Sequence, residues 1–286
     1  MNCNLCPRAC NIDRSVTAGY CKVNKLVVSL AMLHYGEEPC ISGSEGSGTI
    51  FFAGCNLRCV YCQNCEISSE VYGKEITVER LSQIFYELES KGANNINLVT
   101  PSHYVNEIIE ALKIYKPKIP VVYNTSSYDK VETIELLSEY VDIFLADFKY
   151  YSSELSLKYS GAKDYFEVCS KAIKKMRELI PQDEFDSEGK MKKGVIIRHL
   201  VLPNSTSDSV KVLSYIAENF PNTLVSIMGQ YTPKYKACNF SEINRPLKPL
   251  EYKMVLKCAE KLGLNGYSQD LSSSGEYIPT FDLSGV

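Results

Sequence analysis

The spacing of Cys55, Cys59 and Cys62, in Cys55-Asn56-Leu57-Arg58-Cys59-Val60-Tyr61-Cys62, constrains this chain more than any other stretch. It directly follows Thr49-Ile50-Phe51-Phe52-Ala53-Gly54, a β-branched and aromatic run that reads as a buried strand. Thiolates are the protein ligands of iron–sulfur clusters, and a [4Fe–4S] cubane normally takes one at each of its four irons. The compact set supplies three. If those hold three irons, the remaining iron is left open to another ligand. A chance spacing or a zinc site are the alternatives in a chain with twelve cysteines. The preceding strand, the aromatic Tyr61 and the following Gln63-Asn64 weigh against both.

The 286 residues exceed the usual ~100–200 per domain, yet α/β barrels routinely run longer as one unit. One barrel-like domain with a small appendage is the simplest count, with a Cys-rich arm over 1–47 and a barrel plus C-terminal cap over 48–286. Thirty-one basic residues against thirty-four acidic ones give a net charge of −3, without the broad basic field that nucleic-acid binding needs. No apolar run approaches the ~18 residues of a membrane helix, and the N-terminus lacks a signal-peptide core. A cytoplasmic protein is expected. In a reducing compartment, so many cysteines argue for metal binding over a disulfide framework.

Cys3, Cys6, Cys10 and Cys21 form a second set near the N-terminus. Four thiolates suit a tetrahedral structural zinc or an auxiliary iron–sulfur cluster. The absence of a ferredoxin-type C-x2-C-x2-C-x3-C-P run favours zinc, and reduced thiols without metal are the plain alternative. Leu26 to Leu33 reads as a strand docking this arm on the main domain. Glu37 and Glu38 are substrate-facing candidates, weighed against ordinary exposed residues, and the Gly43–Gly48 segment reads as a connector.

From Thr49 on, strand-like and helix-like runs alternate. Strands are expected at 49–53, 95–99, 120–123, 142–146, 194–201 and 224–228, and helices at 78–91, 104–115, 131–139, 165–179, 209–220 and 249–261. Such βα repetition predicts a parallel sheet with crossover helices. The polar stretch 182–193 reads as a surface excursion. In parallel barrels, chemistry gathers at the C-terminal strand ends. That rule selects Thr100-Pro101-Ser102-His103, Asn124-Thr125-Ser126, Asp147-Phe148-Lys149, Arg198-His199 and Met228-Gly229-Gln230-Tyr231. Asp147 and Lys149, two residues apart on an extended chain, share one face and can point into one cavity. Cys40, Cys65, Cys169, Cys238 and Cys258 read as buried small hydrophobes.

The central cysteine stretch resembles the signature of the radical S-adenosylmethionine (SAM) superfamily. That resemblance implies an open, partial (β/α)6 barrel and a [4Fe–4S] cluster on Cys55, Cys59 and Cys62, whose open iron chelates the amino and carboxylate groups of SAM. It also implies Tyr61 near the adenine, a low-potential electron donor of flavodoxin or ferredoxin type, and cleavage of SAM to a 5′-deoxyadenosyl radical. Asn124-Thr125-Ser126, Asp147-Phe148-Lys149 and Ile197-Arg198 with Val201-Leu202-Pro203 are similar to tracts of the branch containing pyruvate formate-lyase activating enzyme. By that similarity Thr125, Asp147, Lys149 and Arg198 lie beside SAM, and Gln230 or Tyr231 closes the ribose side. The branch's Gly-Gly-Glu tract is replaced by Thr100, Ser102 and His103, whose hydroxyl and imidazole groups can accept from the SAM ammonium. Its dicluster insertion is missing.

Three activities compete: a radical SAM enzyme for a small molecule, an activase installing a glycyl radical on a partner enzyme, and a non-catalytic electron carrier. The last needs a fully ligated cluster and is the weakest. Cys-Pro-Arg-x-Cys at the start, Val99-Thr100-Pro101-Ser102-His103, Arg198-His199-Leu200-Val201-Leu202-Pro203 and Met228-Gly229-Gln230-Tyr231 look like a sister group of the activases. Within it the chain resembles clostridial queuine lyases, which release 7-aminomethyl-7-deazaguanine from queuine. A guanine-like edge needs acceptors and a diol needs paired polar partners. Glu37, Glu38, His103, Gln230, Gln269 and Asp270 are the candidates for such a 7-deazapurine.

Overall fold

The computed structural model describes residues 3–269, 271 and 279–286. Its strands are β1 (Val27–His34), β2 (Ser47–Phe52), β3 (Lys74–Glu75), β4 (Ile96–Val99), β5 (Val121–Thr125), β6 (Ile143–Asp147), β7 (Glu184–Phe185), β8 (Met191–Leu200), β9 (Leu224–Met228) and β10 (Gly266–Ser268). Its helices are α1 (Pro39–Ser42), α2 (Cys65–Ser68), α3 (Val78–Ser90), α4 (Val105–Ile114), α5 (Val131–Leu136), α6 (Ser153–Ser160), α7 (Tyr165–Leu179), α8 (Thr206–Asn219) and α9 (Pro249–Lys261).

One sheet runs in the order β10-β9-β8-β6-β5-β4-β2-β1-β3, and its two ends do not pair. From β2 to β10 every neighbouring pair is parallel. Parallel strands need crossovers, and helices supply them. The strands are short apolar runs: all of β2 is buried. The expected open barrel is therefore present, built on the six βα units that the alternation marked out.

β1 extends the β2 edge in antiparallel fashion, His34 opposite Ser47 and Val28 opposite Phe52. The N-terminal arm thus joins the sheet through Val27–His34, as the apolar run suggested. Gly54, just past β2, has φ +81, and a Cβ there would sit 2.6 Å from the Cys21 carbonyl oxygen. Only glycine lets the arm pack so closely on the turn into the cysteine loop.

Two expectations need correction. The stretch 182–193 is not only a surface excursion: Glu184 pairs with Lys193 and Phe185 with Met191, so β7 and the start of β8 form a hairpin. Cys238 is exposed, because it sits in a 3-10 turn (Ala237–Asn239) that turns only Ala237 inward. The C-terminal residues 279–286 return to the β1 edge, where the Ala31 N–H donates to the Ser284 carbonyl at 2.9 Å and Phe281 packs edge-on against Phe51. No described helix is long and apolar enough to cross a membrane.

Candidate active site

Strand register assembles the polar floor. Asp147, the last residue of β6, lies directly opposite Arg198 of β8, and Val99 of β4 lies opposite Asn124 of β5. Residues alternating along each strand share a face, so Asn97, Asn124, Asp147 and Arg198 form one polar stripe on an otherwise apolar sheet. Arg198 binds Asp147 through Nε at 2.9 Å and Glu37 through Nη1 at 3.0 Å, and its Nη2 donates to the Asn124 side-chain carbonyl. Glu37, from the loop after β1, also accepts from Asn97 at 3.2 Å and Asn124 at 3.1 Å. Lys149 closes the set with a 2.6 Å bond to Asp147.

Burial alone would raise the Asp147 carboxyl, but the Arg198 and Lys149 charges outweigh it and hold it below its ordinary range. Burial pulls Lys149 and Arg198 down, yet Asp147 keeps both above their ordinary values. Glu38 differs: burial, with Glu37 nearby, raises its carboxyl despite Arg198, and its Oε2 has no hydrogen-bond partner.

The stripe opens into a cavity of about 250 Å³. It is lined by Glu37, Asn124, Asp147, Lys149 and Arg198, and by Cys59, Tyr61, Cys62, Gln63 and Asn64. Gln230, Pro279, His34 and Phe51 line it as well. Cys55 is buried below, its Sγ accepting from the Leu57 and Arg58 N–H groups at 3.3 and 3.4 Å. Burial, together with Cys59 and Cys55, pushes the Cys62 thiol up to about 12, and burial with Cys59 also raises Cys55. The trio therefore shares one neighbourhood, and metal coordination is the ordinary means of deprotonating such buried thiols. Cys65 opens α2; burial raises its thiol, with Glu70 and Glu66 as its charged neighbours. Three thiols are the donor chemistry that an iron–sulfur cluster takes.

Other sequence candidates lie elsewhere. The Ser102 hydroxyl bonds Thr125 at 3.4 Å, and Thr125 donates to Asp129, all in the buried core. Thr100 has φ +61 in the strand-end turn. Tyr231 is buried with its hydroxyl on the Ile243 carbonyl at 2.7 Å. Gln269 meets the Tyr252 hydroxyl through its backbone. None of these lines the cavity, and Asp270 lies outside the described residues. Tyr150, Ser160, Gly36 and Pro279 had no sequence signal, since each takes its place through distant contacts.

His103 and His199 are buried and do not line the cavity. His103 donates Nε2–H to the Ala53 carbonyl at 2.9 Å. His199 donates Nδ1–H to the Phe148 carbonyl at 2.7 Å and accepts from Ser209 at 2.9 Å. Burial pushes each down to about 4. The unfolded chain, near 6.5, takes up these protons first, so stability is full above 6.5 and is lost as pH falls toward 4. Each histidine contributes up to about 3 kcal/mol over that window. Denaturant titrations at pH 7 and 5 should show a smaller pH-dependent loss in His199→Gln than in the parent.

Among the described residues no group of three or more His, Cys, Asp or Glu is arranged as it stands to hold a metal ion. The four arm cysteines are nevertheless neighbours. Burial, then Asp129, Cys21 and Cys10, raises Cys6, and burial, then Cys3 and Cys10, raises Cys21.

The pattern of the Radical SAM superfamily matches residues 49–211, more than half of the chain. The chain belongs to the radical SAM superfamily. Members of that superfamily are enzymes that use a [4Fe–4S] cluster and SAM. An uncharacterized protein of Methanocaldococcus jannaschii is 34% identical over 274 residues, 92% of this chain and 76% of the relative. Pyruvate formate-lyase-activating enzyme of Clostridium pasteurianum is 25% identical over 219 residues, 71% and 84% of the two chains. The fold is similar to Streptococcus suis SuiB bound to precursor peptide SuiA, with TM-score 0.53 at 14% identity. That alignment covers 76% of this radical SAM enzyme and 46% of SuiB, so the chain spans about half of SuiB. It is also similar to methylornithine synthase, with TM-score 0.51 at 15% identity over 80% and 72% of the chains.

Proposed function

We propose that Cys55, Cys59 and Cys62 hold the [4Fe–4S] cluster and that SAM lies between it and the polar stripe, beside Tyr61, Asp147, Lys149, Arg198 and Gln230. One observation carries this reading: two of the three thiols and the charged stripe line the same cavity. Bound there, the reduced cluster and SAM supply a 5′-deoxyadenosyl radical that takes a hydrogen atom from substrate. The chain's own work is binding, orientation and exclusion of water. Lys149 and Arg198 offer N–H donors to a carboxylate or ribose. Asp147 offers an acceptor, which the two cations keep ionised across the neutral range.

The substrate we infer is a small polar molecule, best matched by queuine, cleaved at its C–N bond to 7-aminomethyl-7-deazaguanine. Glu37 is the candidate acceptor for the base edge because, of Glu37 and Glu38, it is the one that lines the cavity, beside Asn124. The stripe's amides offer both donors and acceptors for a diol. A flavodoxin- or ferredoxin-like protein is the inferred electron donor. The arm, taken as 1–47 against a barrel of 48–286, is assigned a structural zinc or a second cluster on Cys3, Cys6, Cys10 and Cys21.

Likeness to pyruvate formate-lyase-activating enzyme favours one alternative, a glycyl-radical activase. Anaerobically reconstituted protein, given dithionite, SAM and queuine, is expected to release the aminomethyl base together with 5′-deoxyadenosine, read by mass-resolved chromatography. Unchanged queuine alongside a glycyl-radical signal on an added partner enzyme would overturn the lyase reading.

A further inference from the structure

The radical cavity is backed by a run of buried hydroxyl groups that ends on a cluster cysteine. The Tyr61 and Tyr150 hydroxyls are 2.6 Å apart, Tyr150 and Ser160 are 2.8 Å apart, and Ser160 donates to Cys59 Sγ at 3.0 Å. All three residues are buried. Each hydroxyl has a single proton, so the direction is determined. Ser160 spends its proton on the sulfur and must accept from Tyr150, which in turn must accept from Tyr61. The other two sulfurs have simpler partners: backbone N–H groups for Cys55 at 3.3 and 3.4 Å, and Ser68 for Cys62 at 3.3 Å.

Ser160 is itself held firmly. It ends α6, where Gly161 takes the left-handed cap conformation. Arg8 of the Cys-rich arm donates to the Ser160 and Gly161 carbonyls at 3.1 and 2.6 Å and to the Asn56 carbonyl at 2.8 Å. Its guanidinium lies 3.9 Å over the Tyr20 ring. One side chain therefore ties the residue after Cys55 to the residue that donates to Cys59.

We propose that Tyr61, Tyr150 and Ser160 form a one-way hydroxyl relay that positions Cys59 and raises the reduction potential of the cluster, with Arg8 fixing its terminal donor. This rests on the assignment of Cys55, Cys59 and Cys62 as cluster ligands. Hydrogen bonds to cluster sulfurs favour the form carrying the extra electron, so they raise the potential. Bonds in a chain polarise one another, so an upstream hydroxyl strengthens the last link. Tyr61 also lines the cavity, which places one end of the relay where SAM would bind and the other on a ligand sulfur.

The test is a potentiometric titration of the full chain, reconstituted anaerobically and followed by the EPR signal of the reduced cluster, with iron content measured in parallel. Ser160→Ala, Tyr150→Phe and Tyr61→Phe are expected to keep their iron and shift the midpoint to more negative values, in that order of decreasing size. Arg8→Lys, which loses the three-point fork, is expected to shift it in the same direction. Tyr150→Phe and Tyr61→Phe preserve ring volume and keep the test available if Ser160→Ala does not fold. Unchanged midpoints at full iron content, or shifts without that order, would overturn the relay. A parent protein without a cubane EPR signal would instead overturn the ligand assignment, and the relay with it.

Discussion

Replacing Cys59 with alanine is expected to bring SAM-dependent 5′-deoxyadenosine formation down to background, measured by chromatography after dithionite reduction. Enzymes commonly accelerate their reactions by ~10⁶-fold or more, and here the whole acceleration depends on an assembled cluster. Cys59 sits at the cavity wall, and Ser160 donates to its sulfur. Lys149, raised by Asp147 and then by Cys59, is close enough to feel the sulfur's charge. Losing that side chain leaves two of the three proposed ligands. Cys65 is no ready substitute, since it opens α2 among Glu66 and Glu70. A Cys59→Ala variant that still cleaves SAM would refute the ligand assignment.

Arg198→Ala is expected to lower stability by about 3–5 kcal/mol, the usual cost of removing one partner from a buried ion pair. Three carboxylates depend on this guanidinium: Asp147 at 2.9 Å, Glu37 at 3.0 Å and Glu38 at 3.9 Å. Glu38 and Glu37 already disfavour each other, and without Arg198 the floor would take up protons or water. At ~2–4 °C per kcal/mol for a chain approaching this size, melting should fall by roughly 10 °C. Arg198→Lys should recover only part of the loss, because an ammonium cannot span Asp147, Glu37 and Asn124 at once. SAM turnover should fall in both variants. An alanine variant with unchanged melting temperature would show that the network contributes little.

The sheet and its crossovers were legible because apolar runs of strand length alternated with helical periods. β9 and α9 occupy the anticipated residues, and β5 and β6 shift by only one residue at the start and one or two at the end. α6 was missed, although Ser152 caps its start and Gly161 its end, because its exposed Leu157 and buried serines blur the apolar stripe. That omission hid Ser160, the donor to Cys59. β10 has three residues and only Tyr267 half inside, too little for a period-two signal.

At the site, Asp147, Lys149 and Arg198 were readable because polar residues at the ends of apolar strands stand out. Glu37, which bonds Arg198, was singled out as a substrate-facing candidate, but its place in this network was not visible. It lies 161 positions from Arg198 in the chain, and no local pattern reports such a contact. Thr100, Ser102 and Thr125 shared the same strand-end signal, yet they turn into the core around Asp129 or into the turn itself. The strand-end rule finds the right rim but does not say which side chains face inward. Pro279 reaches the cavity only because residues 279–286 fold back over β1, through contacts such as Lys74 to the Val286 carbonyl at 3.1 Å.

One iron of the proposed cluster is expected to carry SAM in place of a side chain. Electron–nuclear double resonance of the reduced protein, with SAM carrying 15N in the amino group or 17O in the carboxylate, measures this directly. Nuclear couplings from both labels, lost in Cys59→Ala, are the predicted result. A cluster signal indifferent to SAM, with four protein ligands, would contradict it.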